Sequence, residues 1–301
     1  MKVESKKWRV NYIRDGLIEE FHDGYVSFGS DDFDEPFYLR SCAKPLQASL
    51  LIDYGVDLEE DELAIICGSH AGEDCHIKVA KRLLDKFDID ESLLKCGIHE
   101  PLSRSMQDKM LLNGEKASAI HNNCSCKHIG FLIACKKMGW DMNSYDSPSH
   151  PLQIAIKEKI NSVCEVKKEY PMTTDGCGVP ILSMPLKNMV KGFEALLKYP
   201  KIVNAIRKNP YIFGGENRTD SEIIQKTDNL IAKVGAGGLC VVLNIKEGRA
   251  FALKINDCSY EARRIAIFEV INSLGWANIE YDKNIKTISG KKVGEICFSF
   301  I

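Results

Sequence analysis

At 301 residues, 45% hydrophobic and 27% charged, the chain has the size and composition of a globular protein with a large core. A formal net charge of −2 argues against nucleic acid or an anionic membrane as the main partner. The N-terminal Met1-Lys2-Val3-Glu4-Ser5-Lys6-Lys7 lacks a signal-peptide core, and no apolar run reaches membrane-spanning length, so a cytoplasmic protein is expected.

Residues 7–29 alternate in polarity, with Asp15-Gly16 and Asp23-Gly24 as turn signals, and predict an antiparallel meander. An acidic loop, Asp31-Asp32-Phe33-Asp34-Glu35-Pro36, leads through an extended segment to Arg40-Ser41-Cys42-Ala43-Lys44-Pro45. Leu46, Leu50, Leu51 and Tyr54 then recur at helical spacing, which places Ser41 at or near a helix N-cap and Lys44 one turn along the same face. A serine hydroxyl needs a base to become a nucleophile, and a lysine serves if burial or a nearby cation leaves its amine neutral. As a bare pattern Ser-x-x-Lys is common, and its ordinary reading is a capping serine beside a solvated lysine.

Asp61–Cys67 is apolar and runs into Gly68-Ser69-His70-Ala71-Gly72-Glu73, where a buried element delivers polar side chains to a cleft. A helix over Cys75–Phe87 follows, and Ser103-Arg104-Ser105 reads as loop. His121-Asn122-Asn123-Cys124-Ser125-Cys126-Lys127-His128 packs polar and metal-capable side chains around the start of a helix over Ile129–Met138. The proline-bearing stretch Trp140–Pro151 suggests a crossover, before a helix over Leu152–Val163. Thr173-Thr174-Asp175-Gly176-Cys177-Gly178 reads as a sharp turn. Helical text covers Met184–Lys198, Lys201–Lys208 and Ser221–Ile231. Strands are expected at Gly238–Ile245 and Ala250–Ile255, a helix at Tyr260–Leu274, and a last strand at Lys292–Phe300. This order predicts an α/β fold: an antiparallel sheet built from both chain ends, with a helical lobe inserted between. The 12 cysteines, without an export signal, are expected as thiols.

Taken together, Arg40-Ser-Cys-Ala-Lys-Pro, Cys67-Gly-Ser-His-Ala-Gly-Glu, His121-Asn-Asn-Cys-Ser-Cys-Lys-His, Thr174-Asp-Gly-Cys-Gly-Val-Pro, Val234-Gly-Ala-Gly-Gly and Ala252-Leu-Lys-Ile-Asn-Asp resemble the rhizobial-type (class 3) L-asparaginases. That family shares the fold of serine β-lactamases and penicillin-binding proteins. The resemblance implies a single catalytic domain over 1–301, its sheet lobe from about 1–40 and 234–301 and its helical lobe from about 41–233. It implies two serine–lysine pairs, Ser41 with Lys44 and Ser69 with Lys254, beside a zinc ion held by Cys124, Lys127 and Cys177. Arg40, Asn123, His128, Asp175 and Cys240 match positions that line or support the substrate pocket. Cys126 stands where the family usually has glycine, and would either join the metal ligands or displace Lys127.

The activity implied is hydrolysis of L-asparagine to L-aspartate and ammonia by a homodimeric enzyme. Asp175 would meet the substrate ammonium, and Arg40 or a helix N-terminus its carboxylate. One competing reading is a penicillin-recognising hydrolase, weakened by the lack of Lys-Thr-Gly or Lys-Ser-Gly near residue 254. Another is a zinc-stabilised binding protein without catalysis.

Overall fold

The structure is a computed structural model that describes residues 5–30 and 33–301; residues 1–4 and the acidic-loop pair Asp31 and Asp32 lie outside the described residues. In chain order, β1 (Lys6–Arg14), β2 (Leu17–Ser27) and β3 (Pro36–Tyr38) lead into a 3-10 turn, Arg40–Ala43, and α1 (Lys44–Asp53). The helical middle holds α2 (Glu60–Cys67), α3 (Asp74–Lys86), α4 (Arg104–Asn113), α5 (Ser125–Met138) and α6 (Pro151–Val163). After β4 (Met172–Thr174) and β5 (Pro180–Pro185) come α7 (Leu186–Ala195), α8 (Pro200–Lys208), α9 (Pro210–Phe213) and α10 (Thr219–Lys226). The chain closes with β6 (Leu230–Gly235), β7 (Leu239–Asn244), β8 (Arg249–Ile255), α11 (Tyr260–Ser273), β9 (Asn284–Lys286) and β10 (Lys292–Phe300).

Seven strands form one antiparallel sheet in the order β6-β7-β8-β2-β1-β10-β9, so both chain ends build it, as the sequence order implied. The strands β3, β5 and β4 make a small second sheet. Alternation along the central strands divides the apolar residues between two cores. Phe251, Leu253 and Ile255 of β8 pack with α11, while Ala250 and Ala252 face the helical middle.

Several sequence expectations change. The meander is one hairpin, turning at Asp15-Gly16, where both residues have positive φ. Asp23-Gly24 instead lies inside β2, where a Cβ on Gly24 would meet the Lys254 carbonyl and the Trp8 ring. The glycine therefore marks a close packing contact. Helix text over Ser221–Ile231 ends at Lys226, and β6 begins at Leu230, earlier than Val234. Lys233 disguised that strand, because a lysine in an apolar run reads as a break. Ser103 caps α4, its hydroxyl accepting from Met106 N–H at 3.4 Å, so the stretch read as loop starts a helix. The Trp140–Pro151 stretch is no crossover between lobes: Tyr145 is fully buried and His150 caps α6. Among the described residues no helix is long and apolar enough to cross a membrane. All 12 cysteines are free thiols.

Candidate active site

The site begins at Arg40, whose φ of +47° puts a non-glycine residue in the left-handed region. Such a conformation persists only where its surroundings hold it, and here it turns the extended β3 segment into the 3-10 turn that carries Ser41. Ser41 is not a helix cap as expected; it sits within that turn, and its carbonyl accepts the Lys44 N–H. Its side chain is half-buried and its hydroxyl has no hydrogen-bond partner among the described residues. Pro45 occupies the first turn of α1, where a missing N–H costs nothing.

Lys44 is only 2% exposed. Its Nζ donates to Ser69 Oγ at 2.8 Å and to the Asn123 carbonyl at 3.1 Å. Burial drives this amine below its ordinary pKa; Cys124 pulls it back, while Lys233 and Lys127 push it lower. Ser69 follows the end of α2, is itself 2% exposed, and its backbone N–H is held by the Phe213 carbonyl at 3.1 Å. The glycine before it is required there, since a Cβ on Gly68 would meet the same carbonyl.

The thiol cluster lies against Lys44. Cys124 precedes α5, Lys127 lies in its first turn, and Cys177 comes from the turn after β4. Lys127 Nζ donates to Cys177 Sγ at 2.8 Å, and the Cys177 thiol faces Asp175 Oδ2 at 3.7 Å. The neighbouring Cys177, helped by Lys44 and Lys127 against the effect of burial, holds Cys124 well below an ordinary thiol pKa, while Cys124 and burial raise that of Cys177. Burial opposes charge on Lys127 too, but Cys124, Cys177 and Asp175 outweigh it and raise its pKa. Two buried lysines one site apart are thus driven in opposite directions. Two sulfurs and an amine converging in a buried corner are a donor set that fits a zinc ion. Cys126 is not part of that set. It is fully buried in the first turn of α5, near the Ser125 hydroxyl, and burial pushes its thiol up to about 12.

Arg40 Nε and Asp175 Oδ1 form an ion pair at 2.6 Å, too poorly aligned to be a hydrogen bond, so both atoms still want a partner. His128 is fully buried, with Nδ1 at 2.7 Å from the Tyr145 hydroxyl and Nε2 unbonded. Tyr145 Oη also accepts the Lys95 N–H at 2.8 Å. Burial first, then Lys127 and Lys44, keeps that imidazole neutral. Asn123 contributes its carbonyl to Lys44, and its side chain is half-buried.

The expected pairing of Ser69 with Lys254 is not made. Lys254 faces the helical side of the sheet, but its Nζ donates to the Ile255 carbonyl and lies 5.6 Å from the Phe37 ring centre. Ser69 takes Lys44 as its partner instead. Cys240 is fully buried in the core that β7 shares with α11, so it backs the sheet and does not line a pocket.

The buried lysine that sequence reading missed is Lys233 on β6, the sheet's edge strand. It is fully buried, bonded to Asp220 Oδ2 at 3.1 Å and to the Val234 carbonyl at 2.9 Å, and its charge acts on Lys44. Burial would push Asp220 up, but Lys233, with Arg218, holds it below the usual carboxylate range. A Cβ on Gly235 would meet Cys42 Sγ, the Leu39 carbonyl and Arg40 Cβ, so the end of β6 runs directly against the Ser41 turn. The signal was Lys233-Val234-Gly235, a Lys-x-Gly closing an apolar strand.

The family model for L-asparaginase II matches residues 10–296. The chain belongs to the L-asparaginase II family. That family is one of asparaginase-type hydrolases, whose substrates are small molecules. A search of the curated proteins gives no match. Among solved structures this L-asparaginase II family member is similar to a putative β-lactamase from Bacteroides dorei DSM 17855, at 12% identity over 85% of this chain and 88% of that one, TM-score 0.40. A β-lactamase from Mycobacterium bovis aligns at 13% identity over 90% and 95%, TM-score 0.38. A class C β-lactamase aligns at 11% over 92% of both chains, TM-score 0.42. Likeness at that level carries no inference about chemistry.

Proposed function

We propose that this protein is an L-asparagine amidohydrolase, turning L-asparagine and water into L-aspartate and ammonia at the Ser41–Lys44–Ser69 group. The observation that carries the reading is the 2.8 Å bond from the buried Lys44 amine to Ser69, one helical turn from Ser41. A neutral amine bonded to one serine hydroxyl and one turn along the chain from a second is the base such a reaction needs. Ser41, half-buried at the turn, is the better placed to meet substrate; Ser69, 2% exposed, is suited to passing protons. Ser41 Oγ attacks the amide carbon as its proton moves to Lys44. The C–N bond then breaks, and the Lys44 ammonium returns that proton to the leaving nitrogen, giving ammonia and an ester on Ser41. Water, losing a proton to Lys44, attacks the ester, and Ser41 recovers its proton as aspartate leaves.

Arg40 and Asp175 suit the α-carboxylate and α-ammonium of the substrate, which would replace their misaligned mutual contact with aligned ones. His128 and Asn123 border this pocket, and Cys240 and Lys254 support it from the sheet. Cys124, Lys127 and Cys177 would hold zinc, which when bound supplies a Lewis-acid charge beside the pocket. The Lys233-Val234-Gly235 text gives the penicillin-recognising alternative one observation in its favour, so the test must include a β-lactam.

Purified protein is assayed for ammonia release from L-asparagine, L-glutamine and simple amides, and for nitrocefin cleavage, alongside Ser41→Ala and Lys44→Met. Ammonia from L-asparagine, lost in both variants with the fold intact, is the expected result. Nitrocefin turnover without ammonia would move the protein to the penicillin-recognising enzymes. Strong destabilisation by a chelator, with no reaction at all, would leave a zinc-stabilised binding protein.

A further inference from the structure

We propose that Arg263 is a positioning residue for the Ser41 turn, acting past the end of the sheet through the Gly235 carbonyl; this rests on the amidohydrolase reading above. Arg263 lies in the first turn of α11, the helix on the sheet face away from the helical middle, and is 6% exposed. Three features disfavour a cation there. It is buried, it stands at the positive end of the helix dipole, and no carboxylate pairs with it among the described residues. The adjacent Arg264 shows the ordinary arrangement, with two bonds to Glu222 at 2.8 and 2.7 Å. Arg263 has instead the Gly235 carbonyl, 3.0 Å from Nη1, and the Tyr260 ring, whose centre is 5.3 Å from Cζ. Its Nε has no partner.

What that carbonyl belongs to gives the arrangement its use. β6 is an edge strand: β7 pairs with one flank, and the end of the other runs against the Ser41 turn. Cys42 Sγ donates to the Lys233 carbonyl at 3.0 Å. Gly235 lies so close that a Cβ on it would stand 3.2 Å from the Leu39 carbonyl oxygen and 3.4 Å from Arg40 Cβ. Gly235 is also the last residue of β6, with Gly237 and Gly238 at positive φ just beyond it. A strand end with one neighbour and a glycine-rich turn is weakly fixed by its own ladder. Arg263 supplies an anchor from a helix rooted in the second core. Its charge is felt by the Cys42 and Cys240 thiols, so the guanidinium stands close behind the turn.

The consequence reaches Ser41 through the backbone. Arg40, held at φ +47°, keeps that conformation only while its neighbours leave it no room to relax. Gly235 is one of those neighbours. If it drifts outward, Leu39 and Arg40 gain space, and the Ser41 hydroxyl moves with them. A misplacement of about 1 Å at a reacting atom costs up to about 10²-fold in rate. Arg263 touches no substrate in this account.

The test measures kcat/KM for L-asparagine, the thermal midpoint, and amide hydrogen exchange over residues 39–43 in wild type, Arg263→Met and Arg263→Lys. Methionine keeps an unbranched stem and removes every donor, while lysine keeps a cationic N–H donor near the same place. In Arg263→Met, kcat/KM is expected to fall by about tenfold or more. Exchange over 39–43 should quicken, with the midpoint unchanged or higher because an unpaired buried charge has gone. Arg263→Lys should recover most of the rate. Unchanged kcat/KM and exchange in Arg263→Met, or a lysine variant no faster than the methionine one, would overturn the proposal. So would a methionine variant that fails to fold, or whose midpoint falls in step with its rate, since Arg263 would then serve the fold alone. Wild type inactive on every amide would sink the amidohydrolase reading itself. Hydrogen exchange over 39–43 would then still decide whether Arg263 holds the turn.

Discussion

Lys44 and Lys127 show how much a few ångströms of surroundings decide. Both are buried, yet one, bonded to a hydroxyl and a carbonyl, has its pKa lowered, chiefly by burial, while the other, beside two thiols, has it raised. Lys44→Met should therefore lower kcat by about 10²-fold or more, the range for loss of a general base, with the circular dichroism spectrum unchanged. Cys177→Ser should lower the zinc content per chain and raise KM for L-asparagine; unchanged metal and kinetics would remove the metal assignment. At this scale the dense polar stretches that carry Ser41, Lys44 and Ser69 were legible, because polar text straight after apolar text has few structural uses, whereas the grouping of Cys124, Lys127 and Cys177 came from the resemblance alone. Lys254 was assigned to Ser69 from the resemblance, and nothing in a strand's alternation says which lysine on the same face reaches furthest inward. Lys233 does so because Asp220, on a separate helix, neutralises it.

At the scale of elements, β6 and α10 depend on each other through that one ion pair. Asp220→Asn would leave a fully buried lysine without a counterion, and breaking such a pair costs about 3–5 kcal/mol. The expected outcome is a large loss of thermal stability, measured by calorimetry, together with loss of activity because β6 abuts the Ser41 turn. Gly24→Val should also destabilise, through the Trp8 ring and the Lys254 carbonyl. A glycine after aspartate signals a turn from sequence alone; only the ring of a tryptophan on the neighbouring strand explains it inside β2. Helices α6, α8 and α11 were readable from apolar spacing and capping residues. The β6 boundary was not, since the partner that makes Lys233 tolerable lies 13 residues away.

For the whole molecule, the antiparallel sheet from both chain ends followed from strand text at the two termini around a helical middle. Neither spacing nor composition could foresee how many buried titratable groups this arrangement encloses. His70 and His128 have folded pKa values well below the ordinary 6.5, chiefly through burial. For such groups the unfolded chain binds more protons, so their stabilising contribution is complete above about 6.5 and is lost as pH falls below it. Asp220, also lowered, adds a further loss as pH drops below its ordinary value of 3.8. The thermal midpoint should thus decline steadily from neutral to acidic pH. Replacing His70 by Asn should flatten the first part of that decline, while a flat profile in the wild type would contradict the buried neutral histidines.

The central claim is that Lys44 works as an uncharged base at neutral pH. The pH dependence of kcat/KM for ammonia release from L-asparagine tests it most directly, because only the deprotonated amine can accept the serine proton. Activity should rise with pH and reach its plateau well before the ordinary lysine value of 10.5. A rate that keeps climbing to that value would mean a solvated, charged Lys44 and would contradict the account.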